Sequence, residues 1–98
     1  MTLSQNKQLW VDYAQGFGCK LQRARTEAGL SQERVALGAG ISTFTYQKLE
    51  KGESNPGTPA NPRLQTLVSL ALVLGLKVED LLPPLPLELR RQPESPTS

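Results

Sequence analysis

Between Thr43 and Lys51 the chain collects Thr43, Phe44, Thr45, Gln47, Lys48 and Lys51, with Glu50 as the only acid in the run. Hydroxyl, amide and ammonium groups of this kind donate and accept hydrogen bonds and meet negative charge, but none attacks a substrate without a base beside it. The usual base is missing, because the chain has no histidine, and its one cysteine is Cys19. Those two counts remove His-dependent triads, His or multi-Cys zinc sites and an intramolecular disulfide. The remaining Asp, Glu and Ser residues form no recognisable catalytic constellation. The residues therefore predict recognition rather than reaction: no enzyme, no cofactor and no metal. Cys19 reads as an inert or partly exposed thiol.

The elements that must present this stretch can be read from its neighbours. All eight prolines lie at or after Pro56, so the first 55 residues can be helical except where glycine interrupts them. From Leu9 to Ala28, Trp10, Tyr13, Ala14, Phe17, Leu21, Ala24 and Ala28 recur at three- and four-residue steps, the apolar face of one helix or of two nearly collinear ones. Gly16 and Gly18 suggest a break there, and Trp10, Tyr13 and Phe17 read as core. Ser31 and Ser42 stand at N-cap positions, and Gly29, Gly40 and Gly52 at turns or helix ends. These signals predict a short second helix carrying Val35 and Ala36 inward, and a third from about Thr43 to Lys51 with Tyr46 and Leu49 buried.

Asn61 as N-cap and Pro62 as first helical residue predict the start of a fourth helix, with a core stripe of Leu64, Leu67, Val68, Ala71 and Leu74. Leu70, Leu72 and Val73 fall off that stripe. A helix apolar nearly all round in so small a chain suggests a face shared with a second copy. A last turn, Val78 to Leu82, precedes Pro83–Ser98, a proline-rich tail expected to be extended and mobile. No stretch alternates apolar and polar residues over five or more positions, so no strand is predicted. Eleven Lys plus Arg against nine Asp plus Glu leave a net charge of +2, far from a polybasic chain. No apolar run approaches a membrane span and no signal-peptide pattern is present, so the expected setting is the cytoplasm, at the nucleoid.

Two short helices joined by a glycine-containing turn, braced by a longer helix before and others after, have the layout of a helix-turn-helix. The run Phe17-Gly18, Lys20-Leu21, Arg25, Gly29-Leu30-Ser31-Gln32-Glu33, Ala36, Ala39-Gly40-Ile41-Ser42, Leu49-Glu50-Lys51-Gly52-Glu53 and Asn55-Pro56 resembles the phage repressor/Cro-type, or xenobiotic-response-element-type, helix-turn-helix family. The likeness resumes at Leu64-Gln65-Thr66-Leu67, Leu70-Ala71, Leu74-Gly75-Leu76 and Asp80-Leu81-Leu82, and covers Phe17 to Leu82, 66 of the 98 residues. It implies an all-α fold, a compact five-helix lambda-repressor-like domain over residues 17–82. A helical extension over 1–16 and the tail at 83–98 flank it.

The resemblance also implies roles. Thr43, Phe44, Gln47 and Lys48 match positions that face base edges. Gln32, Thr45 and Lys51 match positions that meet phosphates. Arg25 and Glu50 match a structural ion pair between the first and third helices. Phe44 could instead be an exposed or dimer-packing aromatic. Leu70, Leu72, Val73, Leu76, Leu81 and Leu82 are the expected dimer-interface residues. The chain departs from the family at Gly38, Phe44, Tyr46, whose hydroxyl needs a partner, and an apparent insertion at Gly57–Pro62. The expected function is sequence-specific DNA binding as a homodimer that represses transcription at a palindromic operator, its partners being double-stranded DNA and a second copy. The alternatives are an antitoxin-type autorepressor that also binds a toxin and a protein-interaction adaptor without its own operator.

Overall fold

The computed structural model describes residues 7–85. The elements run α1 (Lys7–Glu27), α2 (Gln32–Ala39), α3 (Thr43–Lys51), β1 (Glu53–Asn55), β2 (Thr58–Pro59), α4 (Leu64–Leu74) and α5 (Val78–Leu81). Five helices thus share the fold with two short strands that the sequence did not announce. Glu53 pairs with Pro59 and Asn55 with Thr58, antiparallel and with an irregular register. Pro56 and Gly57, the latter at φ 81°, make the turn between them. A ladder of three and two residues is too short for alternation to register, and backbone pairing alone defines it. The Ala60 N–H extends it by donating to the Gly52 carbonyl at 2.8 Å.

The caps of α2 and α3 follow local chemistry. The Ser31 hydroxyl accepts the Arg34 N–H, and the Ser42 hydroxyl accepts the Thr45 N–H at 3.0 Å. Gly40 closes α2 in the left-handed region at φ 74°, which sets the turn into α3. Phe17, Leu21, Val35, Ala36, Tyr46, Leu49, Leu70, Ala71 and Leu81 form one continuous core.

Helix α1 is unbroken across Gly16 and Gly18 and across the expected boundary at residue 17. Gly18 is buried because α1 crosses the end of α3 there: a methyl group on it would lie 2.2 Å from the Glu50 carbonyl oxygen. Gly52 meets α1 from the other side, where an added Cβ would lie 2.7 Å from the Gln15 Cα. The glycine is kept for close approach, and its helix-interior cost of about 1 kcal/mol is offset by packing. Gly38 has a similar reason, since a side chain on it would press on Val73 of α4 at 2.9 Å.

Other expectations shift. Trp10 is 37% exposed and stands edge-on to Tyr13, so only Phe17 of that trio is core. Tyr13 is half-buried and donates its hydroxyl to the Pro83 carbonyl at 2.8 Å, which ties the start of the proline-rich segment to α1. The expectations for residues 1–6 and for the tail beyond Leu85 lie outside the described residues. Helix α4 begins at Leu64 after Arg63, not at Pro62, because the chain stays extended through Arg63 at ψ 154°. Its face is also rotated: Leu70 and Ala71 point inward, whereas Leu64, Val68 and Leu72 are exposed. Leu70 and Leu81, expected at a dimer interface, are fully buried within the protomer and cannot reach a second copy. No described helix is long and apolar enough to cross a membrane.

Gly18→Ala should cost about 3 kcal/mol in urea unfolding, because backbone atoms must move to admit the methyl group. Gly16→Ala, whose new methyl would meet only the Pro83 ring at 3.2 Å, should change stability by no more than about 1 kcal/mol.

Candidate nucleic-acid interface

Helix α3 turns Tyr46 and Leu49 into the core and leaves Phe44, Thr45, Gln47 and Lys51 exposed, with Thr43 and Lys48 half-buried. Phe44 is 66% exposed and carries the Lys48 ammonium over its ring, with Nζ 4.5 Å from the centroid. Such a contact contributes about 0.5–1 kcal/mol at an exposed site, enough to bias where the lysine head sits. Thr45 accepts the Ser42 hydroxyl at 2.9 Å, which leaves its own hydroxyl proton free to donate outward.

Behind this face lies one carboxylate. Glu50, with its side chain 6% exposed, accepts from the Arg25 Nε at 2.6 Å and from the Tyr46 hydroxyl at 2.6 Å, both on Oε2. Its Oε1 accepts from the Gln32 Nε2 at 2.9 Å. Arg25 donates in addition to the Leu30 carbonyl at 3.1 Å, at the entry to α2. Helices α1, α2 and α3 thus converge on one acid, and the expected pairing of Arg25 with Glu50 is one strand of a larger cluster. Tyr46 finds its hydroxyl partner here.

The electrostatics follow from these contacts. Burial pushes the Glu50 carboxyl up, but hydrogen bonds from Arg25, Tyr46 and Gln32, with the guanidinium charge, hold it below the ordinary glutamate value. Tyr46 is raised far above an ordinary phenol, by burial first and then by its bond to the Glu50 carboxylate. The Arg25 guanidinium is raised chiefly by the hydrogen bond to Glu50. At neutral pH the cluster is an ionised carboxylate surrounded by donors.

The side chain of Gln32, expected at a phosphate, is instead turned into the protein. Its Nε2 faces Glu50 and its Oε1 accepts from the Gln47 Nε2 at 3.1 Å. Its backbone N–H, in the first turn of α2, remains positioned for an anion. Sequence reading missed Arg63, which lines one cleft of about 450 Å³ with Thr45, Lys48, Glu53, Asn61 and Thr66. Arg63 occupies the N-cap of α4, where no side chain caps the free N–H groups. Its only signal was being the lone basic residue between Lys51 and Lys77. Among the described residues no cluster of His, Cys, Asp or Glu could hold a metal ion.

Arg25→Ala should lower stability by about 3 kcal/mol at neutral pH, because it strands a buried carboxylate. The folded-state pKa of Glu50 lies below its unfolded value of about 4.3, so its contribution is complete above that value and is lost as pH falls through the lowered folded value. Glu50→Gln should therefore be less stable than the unmodified chain at neutral pH. The gap should narrow as acid protonates Glu50, which thermal melts across pH 3 to 7, roughly bracketing the carboxylate range, would follow.

A family model described as helix-turn-helix matches residues 21–81. The SPbeta prophage-derived uncharacterized HTH-type transcriptional regulator YonR of Bacillus subtilis (strain 168) is 39% identical over 66 residues, 67% of this chain and 56% of its own length. The cryptic phage CTXphi transcriptional repressor RstR of Vibrio cholerae is 35% identical over 65 residues, 66% of this chain and 53% of its own. The HTH-type transcriptional regulator DdrOP3 of Deinococcus deserti is 40% identical over 63 residues, 64% of this chain and 44% of its own. The chain spans about half the length of the curated relatives it matches. The matched segment contains α2, α3 and α4 entire, with Arg25, Gln32 and Glu50 inside it, and the chain belongs to the phage repressor/Cro-type (xenobiotic-response-element-type) helix-turn-helix family.

Proposed function

We propose that this chain is a sequence-specific DNA-binding transcriptional regulator that acts as a repressor, with α3 entering the major groove. The observation that carries the proposal is the outward face of α3: hydroxyl, amide, aromatic and ammonium groups without an acid, on a helix locked to α1 and α2 through Glu50. Gln47 suits adenine and Lys48 suits guanine O6 or N7, while Thr43 and Phe44 offer apolar contact to thymine methyls. The Gln32 N–H, Thr45, Lys51 and Arg63 serve the phosphates.

The protein works as a homodimer on a palindromic operator with half-sites about 34 Å apart. A net charge of +2 gives little bulk attraction to DNA, so two copies reading together supply affinity that one lacks. The dimer face is drawn from Leu72 and Leu76, joined by Val68 and Leu64, all exposed in the protomer. Leu64, Val68 and Leu72 recur every four residues and so lie in one row along α4. Leu82 is half-buried at the edge of the core, and Val73 is engaged with Gly38.

Selection of bound duplexes from a random pool should enrich a palindrome. Absence of enrichment at low salt, where phosphate attraction is strongest, would overturn sequence-specific binding. Lys51→Ala should weaken binding nearly evenly across sequences and reduce the salt slope by about 1. Leu72→Glu should shift sedimentation to the monomer and weaken binding to the full palindrome more than to a single half-site. A variant that still sediments as a dimer would move the interface elsewhere.

A further inference from the structure

A second cleft, of about 630 Å³, lies between α1 and the β2–α4 segment, and the reading of DNA by α3 makes no use of it. Trp10, Tyr13 and Phe17 line it from α1, and Pro59, Pro62 and Leu82 from the rest of the chain. The Trp10 and Tyr13 rings stand edge to face at 6.0 Å, and the Tyr13 hydroxyl is engaged by the Pro83 carbonyl, so Tyr13 offers the cleft its ring. The polar groups are the hydroxyls of Ser54 and Thr58 and the amide of Asn61; among the described residues no charged side chain lines the cleft. A concave site of this volume, aromatic over most of its wall with a few uncharged hydrogen-bonding groups, has the make-up of a small-molecule site.

Two placements give this cleft a role in the protein. Trp10, Tyr13 and Phe17 precede the matched residues 21–81, and Thr58–Pro62 falls in the segment that reads as an insertion against the family. The cleft is thus built largely from parts that the helix-turn-helix does not require. Its wall is also shared: Ser54, Ala60, Asn61 and Pro62 line both this cleft and the smaller one that holds Lys48 and Arg63. The Ala60 N–H is held by the Gly52 carbonyl, and α4 begins at Leu64, so a short extended strap separates the two clefts and carries Arg63 at its end.

We propose that the aromatic cleft binds a neutral, planar aromatic small molecule, and that its occupancy reaches the DNA-facing side through the strap from Ala60 to Arg63. Planarity follows from the aromatic and proline rings that line the space, which favour stacked and edge-to-face contacts. Neutrality follows from the uncharged wall, since an ion buried there would have no partner. A molecule seated against Ala60–Pro62 moves or stiffens the strap, and Arg63 is the first side chain beyond it. The ligand site stands independently of DNA binding, whereas its regulatory effect rests on the proposed reading of DNA by this fold.

Trp10 is the only tryptophan of the chain, so its fluorescence reports directly from the cleft. The full chain is titrated with phenylnaphthylamine, a neutral planar aromatic, and with its anionic sulfonated analogue anilinonaphthalenesulfonate. The neutral probe should quench Trp10 saturably, with one probe per chain, and the sulfonate should bind weaker by about tenfold or more. Thr58 is exposed at the cleft and absent from the wall shared with the smaller one. Thr58→Phe should therefore fill the space and weaken the neutral probe by about tenfold, with the melting temperature within about 4 °C of the unmodified chain. Thr58→Ser, which keeps the space, should bind as before, and so should Leu72→Glu, which removes an exposed apolar side chain elsewhere.

The absence of saturable quenching would overturn the proposal, as would a probe that Thr58→Phe still binds and Leu72→Glu loses. Equal binding of the sulfonate would overturn the assigned ligand class. On the duplex enriched from the random pool, saturating neutral probe should weaken protein binding by about fivefold or more, and saturating duplex should weaken the probe by the same factor. An unchanged duplex affinity would overturn the link through the strap while leaving the DNA reading intact. A pool that yields no enriched duplex would overturn the DNA reading and the regulatory effect with it, with the probe titration still deciding the ligand site.

Discussion

The structure depends on a single carboxylate with donors from three directions. Glu50 is nearly out of water, and an isolated charge there would cost several kcal/mol. It is retained because Arg25, Tyr46 and Gln32 each supply a short hydrogen bond, one from each of α1, α3 and α2. Satisfying the acid therefore fixes the mutual placement of the three helices. The two-helix motif and its brace behave as one unit, since no donor can leave without exposing a charge that the others cannot fully compensate.

Close packing makes that geometry reachable. The α1–α3 crossing is so tight that Gly18 and Gly52 touch the opposite backbone, and this brings the Arg25 guanidinium within reach of the third helix. Tyr46 adds a second constraint. Its ring fills the core with no exposure, yet its hydroxyl must find an acceptor, and Glu50 lies one turn along the same helix. The surface amide of Gln47 is connected to the same acid through Gln32. The stability of the buried cluster and the exposed face of α3 thus share atoms, a coupling expected where buried polar groups are satisfied as a connected set.

Much of the scaffold was legible in the residues. Ser31 and Ser42 cap α2 and α3 as their types require, and the left-handed closures at Gly40 and Gly52 fall where the helical periodicity stops. The outward face of α3 follows from the spacing of Tyr46 and Leu49. Where sequence reasoning failed, it failed for identifiable reasons. Helix α4 is apolar nearly all round, so its hydrophobic period has no phase, and Leu70 changed places with Leu64 and Val68. Local chemistry suggested a start at Asn61 and Pro62, but the pairing of Ala60 with Gly52 holds the chain extended beyond them. Trp10 fits the apolar step of α1, yet it lies far enough along the helix to be left at the edge of the core.

The sequence by itself determined that neither a His-dependent triad nor an intramolecular disulfide can form within this chain, because the absence of histidine and the single cysteine are facts of composition. It also determined the order of helices and caps, which depend on contacts a few residues apart, and the residue types displayed on α3. The tertiary structure decided what those types can do. Gln32 and Gln47 stand fifteen residues apart and Gln32 and Glu50 eighteen, separations that no helical period relates. Only the crossing of α1, α2 and α3 brings them within hydrogen-bond distance, and only there does an acceptor-only carboxylate give the amides a direction.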